Sequence, residues 1–309
     1  MPVLRRTPGP DGAHLPARER LQALTGILPP STEAESAELL ELLTLGELEI
    51  EGQLVDASNL ALLARLERGG VETRVMYKPI RGERPLWDFP SGTLAYREAA
   101  SYVVSAAGGW DVVPPTVLRD GPAGRGTVQL WIEGLDGTDD ADVVVPRPEG
   151  LVDLVPAGRV EPGWLPVFEA ELHNGSPVVV AHADRPDLAA VAVLDIVINN
   201  ADRKGSHLVL DRQGSLWGFD HGLSFHEDLK LRTVLWGWAG TPLPDVELSR
   251  LDALATDLGD PSSSLAQDLD ALLAPAEVQA LRARVDGLLR RSRFPGPGHR
   301  WPAVPWPPL

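Results

Sequence analysis

The apolar positions along this chain change their period several times, and each change marks an element. After Ser31-Thr32-Glu33, an N-cap pattern, Ala37, Leu39, Leu40, Leu42 and Leu43 continue as a short helix. From Leu45 the period falls to two. Residues 47–54 read as a strand, Asp56-Ala57-Ser58-Asn59 as a turn and 60–67 as a returning strand; a third strand, 71–78, follows the turn at Arg68-Gly69-Gly70. Residues 61–67 have helical propensity of their own, and the flanking turns decide for a strand in a three-stranded meander. A loop over 79–90, a helix over 92–108 and two short strands at 115–119 and 126–132 complete this half. The pattern makes a small sheet with a helix packed on it.

The second half reads differently. Residues 139–166 are rich in Pro, Gly and Asp, carry little periodicity and receive no assignment. Residues 186–197 are apolar nearly all round, which predicts a buried helix. That helix feeds into the stretch 195–225, around which the chain is organised. A polar loop, Asn199-Asn200-Ala201-Asp202-Arg203-Lys204-Gly205-Ser206-His207, leads to the apolar run Leu208-Val209-Leu210 and a turn at Asp211-Arg212-Gln213-Gly214. A second run, Leu216-Trp217-Gly218-Phe219, ends in Asp220-His221-Gly222. A hairpin here folds Asp202 and His207 back beside Asp220. Beyond it, 229–238 and 245–258 read as helical in part. Residues 262–273 and 275–291 read as helices, the latter with Pro275 near its start and basic residues at its end. Residues 1–30 read as a flexible arm. Residues 294–309, with six prolines and two tryptophans, read as an extended tail suited to docking on the body.

Composition narrows the partners. Among 309 residues, 28 Lys and Arg face 44 Asp and Glu, a formal charge of −16. So acidic a chain is repelled by nucleic-acid phosphates and anionic lipid, which argues against nucleic-acid binding and stable membrane association. A nucleotide, held by a few local cations and a metal, stays compatible. No apolar run reaches a membrane span and no signal-peptide core is present, so cytoplasm is the expected location. Cys is absent, which removes disulfides and thiolate metal sites.

Several polar residues have the types and spacing that phosphoryl transfer requires. Lys78 ends a strand, just before Pro79, and Glu98 lies on the following helix; together they offer a cation for nucleotide phosphates and a carboxylate to orient it. The turn at 56–59 can lay backbone N–H groups and the Ser58 hydroxyl over phosphates. Asp202 is followed five residues later by His207 and eighteen residues later by Asp220. Phosphoryl transfer needs a carboxylate to orient the acceptor hydroxyl and take its proton, and oxygen or nitrogen ligands for a metal on the β- and γ-phosphates. Arg203 or Lys204, beside the base, can neutralise the transferring group.

Five segments in order carry a resemblance. They are Tyr77-Lys78-Pro79 with Gly82-Glu83 and Pro85-Leu86-Trp87; Tyr96-Arg97-Glu98-Ala99-Ala100; Val128-Gln129-Leu130-Trp131-Ile132-Glu133-Gly134; Asn200-Ala201-Asp202-Arg203; and Gly218-Phe219-Asp220-His221-Gly222. Together they resemble the protein-kinase-like superfamily, most closely its phosphoinositide 3-/4-kinase-like branch and the bacterial relatives of type II phosphatidylinositol 4-kinases. The resemblance covers residues 45–240. It implies an α+β, two-lobed protein-kinase-like fold: an arm at 1–30, an antiparallel-sheet N-lobe with one helix over 31–134, a mainly helical C-lobe over 135–293 and the tail at 294–309. ATP is the implied cofactor, with Mg2+ or Mn2+. On the matching positions, Lys78 would hold the α/β-phosphates and pair with Glu98. Ser58 and Asn59 would cover the phosphates, and Gln129, Leu130, Trp131, Ile132 and Glu133 would meet the adenine. Asp202 would be the base and Asp220 the main metal ligand.

The chain departs from that pattern at His207, where the family usually has Asn. A neutral imidazole can ligate a divalent metal and moves the preference toward Mn2+; the alternative is a single-metal or impaired enzyme. The leading expectation is an ATP-dependent kinase acting on a hydroxyl of a soluble small molecule or of a protein. The alternatives are a nucleotide-binding pseudokinase, an AMP transferase on the same fold, and a phosphoinositide kinase, which the acidic composition opposes.

Overall fold

The computed structural model describes residues 33–54, 59–132, 150–172, 174–298 and 302–309. The expected arm at 1–30, the Ser31-Thr32 cap, Ser58 with most of its turn, Glu133 and the linker after it, and Trp301 lie outside the described residues. The chain packs as two compact units. Unit 1 comprises Met1–Tyr102, Val113–Val144 and Leu210–Trp217; unit 2 comprises Val103–Val112, Val145–Val209 and Gly218–Leu309.

Unit 1 is built on an antiparallel sheet of β1 (Glu47–Gln53), β2 (Leu62–Arg68), β3 (Val71–Pro79), β4 (Thr116–Gly121) and β5 (Gly124–Leu130). The strand order is β1-β2-β3-β5-β4, so the predicted meander continues into a five-stranded sheet, with β5 between β3 and β4. The β2 strand prevails over its helical propensity because period two sends Leu62, Ala64 and Leu66 to one buried face. Arg65 points the other way and pairs with Glu72 at 2.9 Å and with Glu49. Arg68 faces Val71 across a two-residue turn whose Gly69 and Gly70 have φ of +59° and +80°, a backbone suited to glycine. Helix α1 (Glu33–Leu45) lays Leu39, Leu42 and Leu43 on Leu62, Leu66, Val75, Tyr77, Val128 and Leu130, forming the core. Helix α2 (Leu94–Ala107) begins in unit 1 and its last residues belong to unit 2.

Unit 2 contains α3 (Pro186–Ile198), α4 (Asp245–Gly259), α5 (Ser264–Leu272) and α6 (Pro275–Arg291). Every residue from Leu188 to Ile198 is buried, as the all-round apolar pattern of α3 requires. The unassigned region holds part of a three-stranded sheet: β6 (Val152–Pro156), β7 (Trp164–Glu171) and β8 (Pro177–Ala183), in the order β6-β8-β7. Pro166, at a register shift in β7, and Pro156 and Pro177, at strand ends, interrupted the period that would have revealed it. Residues 229–235, expected to be helical in part, form no helix; only Trp236–Trp238 makes a 3-10 turn. Among the described residues no helix is long and apolar enough to cross a membrane.

Candidate functional site

The expected site residues fall into two sets, one in each unit. In unit 1, period two sets Lys78 on the face opposite Tyr77, which lies in the α1-facing core. Lys78 Nζ lies 3.3 Å from Glu98 Oε1 of α2. The start of α2 is held by Glu83, whose carboxylate accepts from the Leu94 and Ala95 N–H groups at 3.2 and 2.9 Å. Glu83 thereby satisfies two of the helix's unpaired donors and fixes the element carrying Glu98. Asn59 also acts on this segment. Its Oδ1 accepts the Arg84 N–H at 2.9 Å, which ties down the 83–94 segment.

The segment expected to meet adenine is largely absorbed by the sheet. Gln129 donates to Thr116 Oγ1 at 2.8 Å, and the Leu130 side chain lies in the core. The Leu130 and Trp131 N–H groups donate to the carbonyls of Pro115 and Arg74. Ile132 packs against the same core.

The strands β9 (Leu208–Leu210) and β10 (Leu216–Gly218) pair as the predicted hairpin, whose ends Leu208–Val209 and Gly218 belong to unit 2. At its open end the Phe219 N–H donates to the His207 carbonyl at 3.1 Å. His207 Nε2 then lies 3.5 Å from Asp220 Oδ2, on a carboxylate that is 48% exposed. Asp220 has a φ of +62°, a left-handed conformation that costs a non-glycine residue energy and often marks a functional position. Asp202 lies on the same loop, its carboxylate 3.0 Å from Lys204 Nζ. Burial pushes the Asp202 carboxyl up; Lys204 pulls it back, Asp220 adds to the rise and Arg232 opposes it.

Arg203 does not take the expected position beside a transferring group. Its guanidinium is fully buried and turned inward. Nε and Nη2 donate to Asp195 at 2.9 and 3.0 Å, Nη2 donates to His221 Nε2 at 2.6 Å, and Nη1 donates to the carbonyls of His207 and Phe219 at 3.3 Å. All five guanidinium donors are engaged. The arginine therefore holds together the loop of Asp202 and the two ends of the hairpin. A Cβ at Gly218 would stand 3.3 Å from Arg203 Nη2, so the glycine admits the guanidinium.

The motif did not reveal the partners of this framework. Asp195, on the last turns of α3, also accepts from Asn200 Nδ2 at 2.9 Å. Asn199 caps α3 in the left-handed conformation, and its side chain binds the backbone of His226, Asp228 and Lys230. Arg284 of α6 donates from Nε to the Val197 carbonyl near the end of α3, and burial pushes its guanidinium pKa down to about 10. Asp195 and Asn199 were legible as polar residues at the end of an apolar helix; their partners, and the role of Arg284, were not.

No family model matches the chain. Among solved structures it is similar to the Golgi casein kinase with Mn and ADP bound, with a TM-score of 0.56 and 13% identity over 89% of this chain and 80% of that one. It is also similar to hydra Fam20 with sugar, with a TM-score of 0.51 and 14% identity over 89% and 94% of the two chains. The chain therefore has a protein-kinase-like fold. It is 49% identical over 263 residues to Protein Rv2133c of Mycobacterium tuberculosis, spanning 85% of this chain and 92% of that protein, and so it belongs to the Rv2133c family.

Proposed function

We propose that this protein is an ATP-dependent phosphotransferase that moves the γ-phosphoryl group to a hydroxyl of a soluble small molecule or of a protein. The observation that carries the reading is the His207–Asp220 pair at 3.5 Å on the hairpin that follows the Asp202 loop. Lys78, oriented by Glu98, holds the α/β-phosphates. Asp202 orients the acceptor hydroxyl and takes its proton as the new O–P bond forms and the bond to the β-phosphate oxygen breaks, releasing ADP. A carboxyl pushed up by burial is a stronger proton acceptor than an ordinary aspartate. Lys204, rather than Arg203, supplies the neighbouring positive charge.

The donor set of one carboxylate and one imidazole fits Mg2+ or Mn2+, with the nitrogen favouring Mn2+. When bound, the cation neutralises charge on the β- and γ-phosphates. Among the described residues no group of three or more His, Cys, Asp or Glu could hold a metal ion, so His207 and Asp220 would hold the cation together with the nucleotide. The order of the five motifs supports a place in the phosphatidylinositol 3-/4-kinase-like branch, and the charge of −16 supports a soluble rather than a lipid acceptor.

Incubation with γ-labelled ATP and Mn2+ or Mg2+ tests the proposal. Wild type transfers label to itself, a protein mixture or a metabolite pool, and Asp202→Asn loses about 100-fold or more of that transfer. Equal transfer by Asp202→Asn removes the base from the mechanism. Label transferred from the α- but not the γ-position replaces phosphate transfer with AMP transfer.

A further inference from the structure

Four cations lie on or beside the Asp202 loop: Arg203, Lys204, Lys230 and Arg232. Arg203 is engaged by Asp195, and Lys204 pairs with Asp202. Arg232 differs from both. Among the described residues no carboxylate lies within ion-pair distance of it, and its Nε is buried without a hydrogen-bond partner. A buried donor left unsatisfied is costly, and each such group calls for a ligand or another reason.

The backbone fixes where this side chain points. Residues 232–234 run parallel to the Asp202 loop: the Arg203 N–H donates to the Arg232 carbonyl at 3.0 Å, the Val234 N–H to the Arg203 carbonyl at 3.1 Å, and Arg203 and Thr233 form a parallel bridge. The Arg232 N–H donates to the Asn200 carbonyl at 3.0 Å. Arg203 and Thr233 are both buried, so they share the inward face. By the alternation of extended backbone, their neighbours Asp202 and Arg232 share the opposite face. The electrostatic pull of Arg232 on the Asp202 carboxyl agrees with that placement.

The tail locks the segment from its other edge. The Thr233 N–H and the Trp236 Nε1–H both donate to the Ala303 carbonyl, at 3.1 and 2.8 Å, and the Gly205 N–H donates to the Pro308 carbonyl at 2.9 Å. Residues 303 and 308 thus strap the Asp202 loop and the Arg232 segment together. The arginine is held in a frame of backbone hydrogen bonds.

Resting on the phosphotransferase reading, we propose that Arg232 is a further binding residue of the reaction site, which holds an oxygen of the terminal phosphoryl group of ATP beside Asp202. Asp202 and Asp220 repel an incoming phosphate, and Lys204 offsets only one of them. A planar guanidinium with unengaged donors supplies the missing charge and two parallel hydrogen bonds to the phosphoryl oxygens.

The test compares the affinities of Mn2+–ATP and Mn2+–ADP, measured by calorimetry, in wild type, Arg232→Gln and Arg232→Lys, with thermal melts of each protein as the folding control. Arg232→Gln is expected to weaken ATP about tenfold, equivalent to about 1.4 kcal/mol, and to leave ADP unchanged. Arg232→Lys keeps the charge but not the fork and falls between. If the Gln variant does not fold, the Lys variant alone must lower the ATP-to-ADP affinity ratio. An unchanged ratio in a folded variant overturns the proposal, including when turnover alone drops, because the arginine then serves the acceptor. If wild type binds neither nucleotide, the phosphotransferase reading fails and this assignment fails with it.

Discussion

The Lys78–Glu98 pair of unit 1 and the Asp195–Arg203 pair of unit 2 differ first in how much water reaches them. The Lys78 side chain is 23% exposed and lies 3.3 Å from the carboxylate of the buried Glu98, whereas both side chains of the second pair are fully buried. Arg203 uses every donor it has, and Asp195 takes a further hydrogen bond from Asn200. A charge pair removed from water survives only when its remaining donors and acceptors are satisfied, and it then binds rigidly whatever it touches. A pair left partly in water keeps a cation that can turn to a ligand. The comparison separates two jobs that sequence motifs merge: building a site and acting in it.

Removing Asp195 should break the comparison hardest. Asp195→Ala leaves the Arg203 guanidinium buried and uncompensated, for a loss of about 3–5 kcal/mol of stability in chemical denaturation. A loss below 1 kcal/mol would place Arg203 among the mobile cations instead.

Lys78→Met probes the other side. It should abolish ATP-dependent transfer and cost less stability than Asp195→Ala, because Lys78 is 23% exposed although the Glu98 carboxylate it leaves behind is buried. A large drop in the melting temperature with transfer retained would reverse the two roles.

The smallest effect concerns His182, a buried group of unit 2 outside either pair. Its Nε2 accepts the Gly237 N–H at 3.0 Å, and its ring lies 4.3 Å from that of Trp238. Burial lowers its pKa, against the pull of Asp184 and the Ala183 carbonyl. Below its ordinary pKa of about 6.5 the unfolded chain takes up a proton that the folded one resists. Stability is therefore complete above about pH 6.5 and falls as the pH drops toward the folded pKa. A His182→Gln variant, melted between pH 5 and 8, should show a flatter profile than wild type; parallel profiles would show that His182 does not contribute to the acid limb.

The framework was legible where short-range pattern controls it. Strands β1, β2, β3, β4 and β5, helix α3, helix α6 and the hairpin of Asp211–Gly214 all appear within two residues of where period and turn chemistry put them. Asp211 shows why: it accepts the N–H groups of Gln213 and Ser215 and the Trp217 indole, so the turn is made by its own sequence. The sheet of β6, β7 and β8 was hidden by its prolines. The segment 229–235 was misread because it is extended by hydrogen bonds to the Asp202 loop and the tail, not by any period of its own.

By itself, the sequence determined the order of the elements, the presence of Lys78, Asp202, His207 and Asp220 at or near their ends and that of Glu98 on a helix, because backbone dihedrals and turn residues act over a few positions. Only the tertiary structure decided which neighbouring cation faces inward and which shares the face of Asp202. Arg203, Lys204 and Arg232 are equivalent in a sequence. One step along an extended backbone reverses the face a side chain points to, and the buried partner that claims Arg203 comes from another segment of the chain.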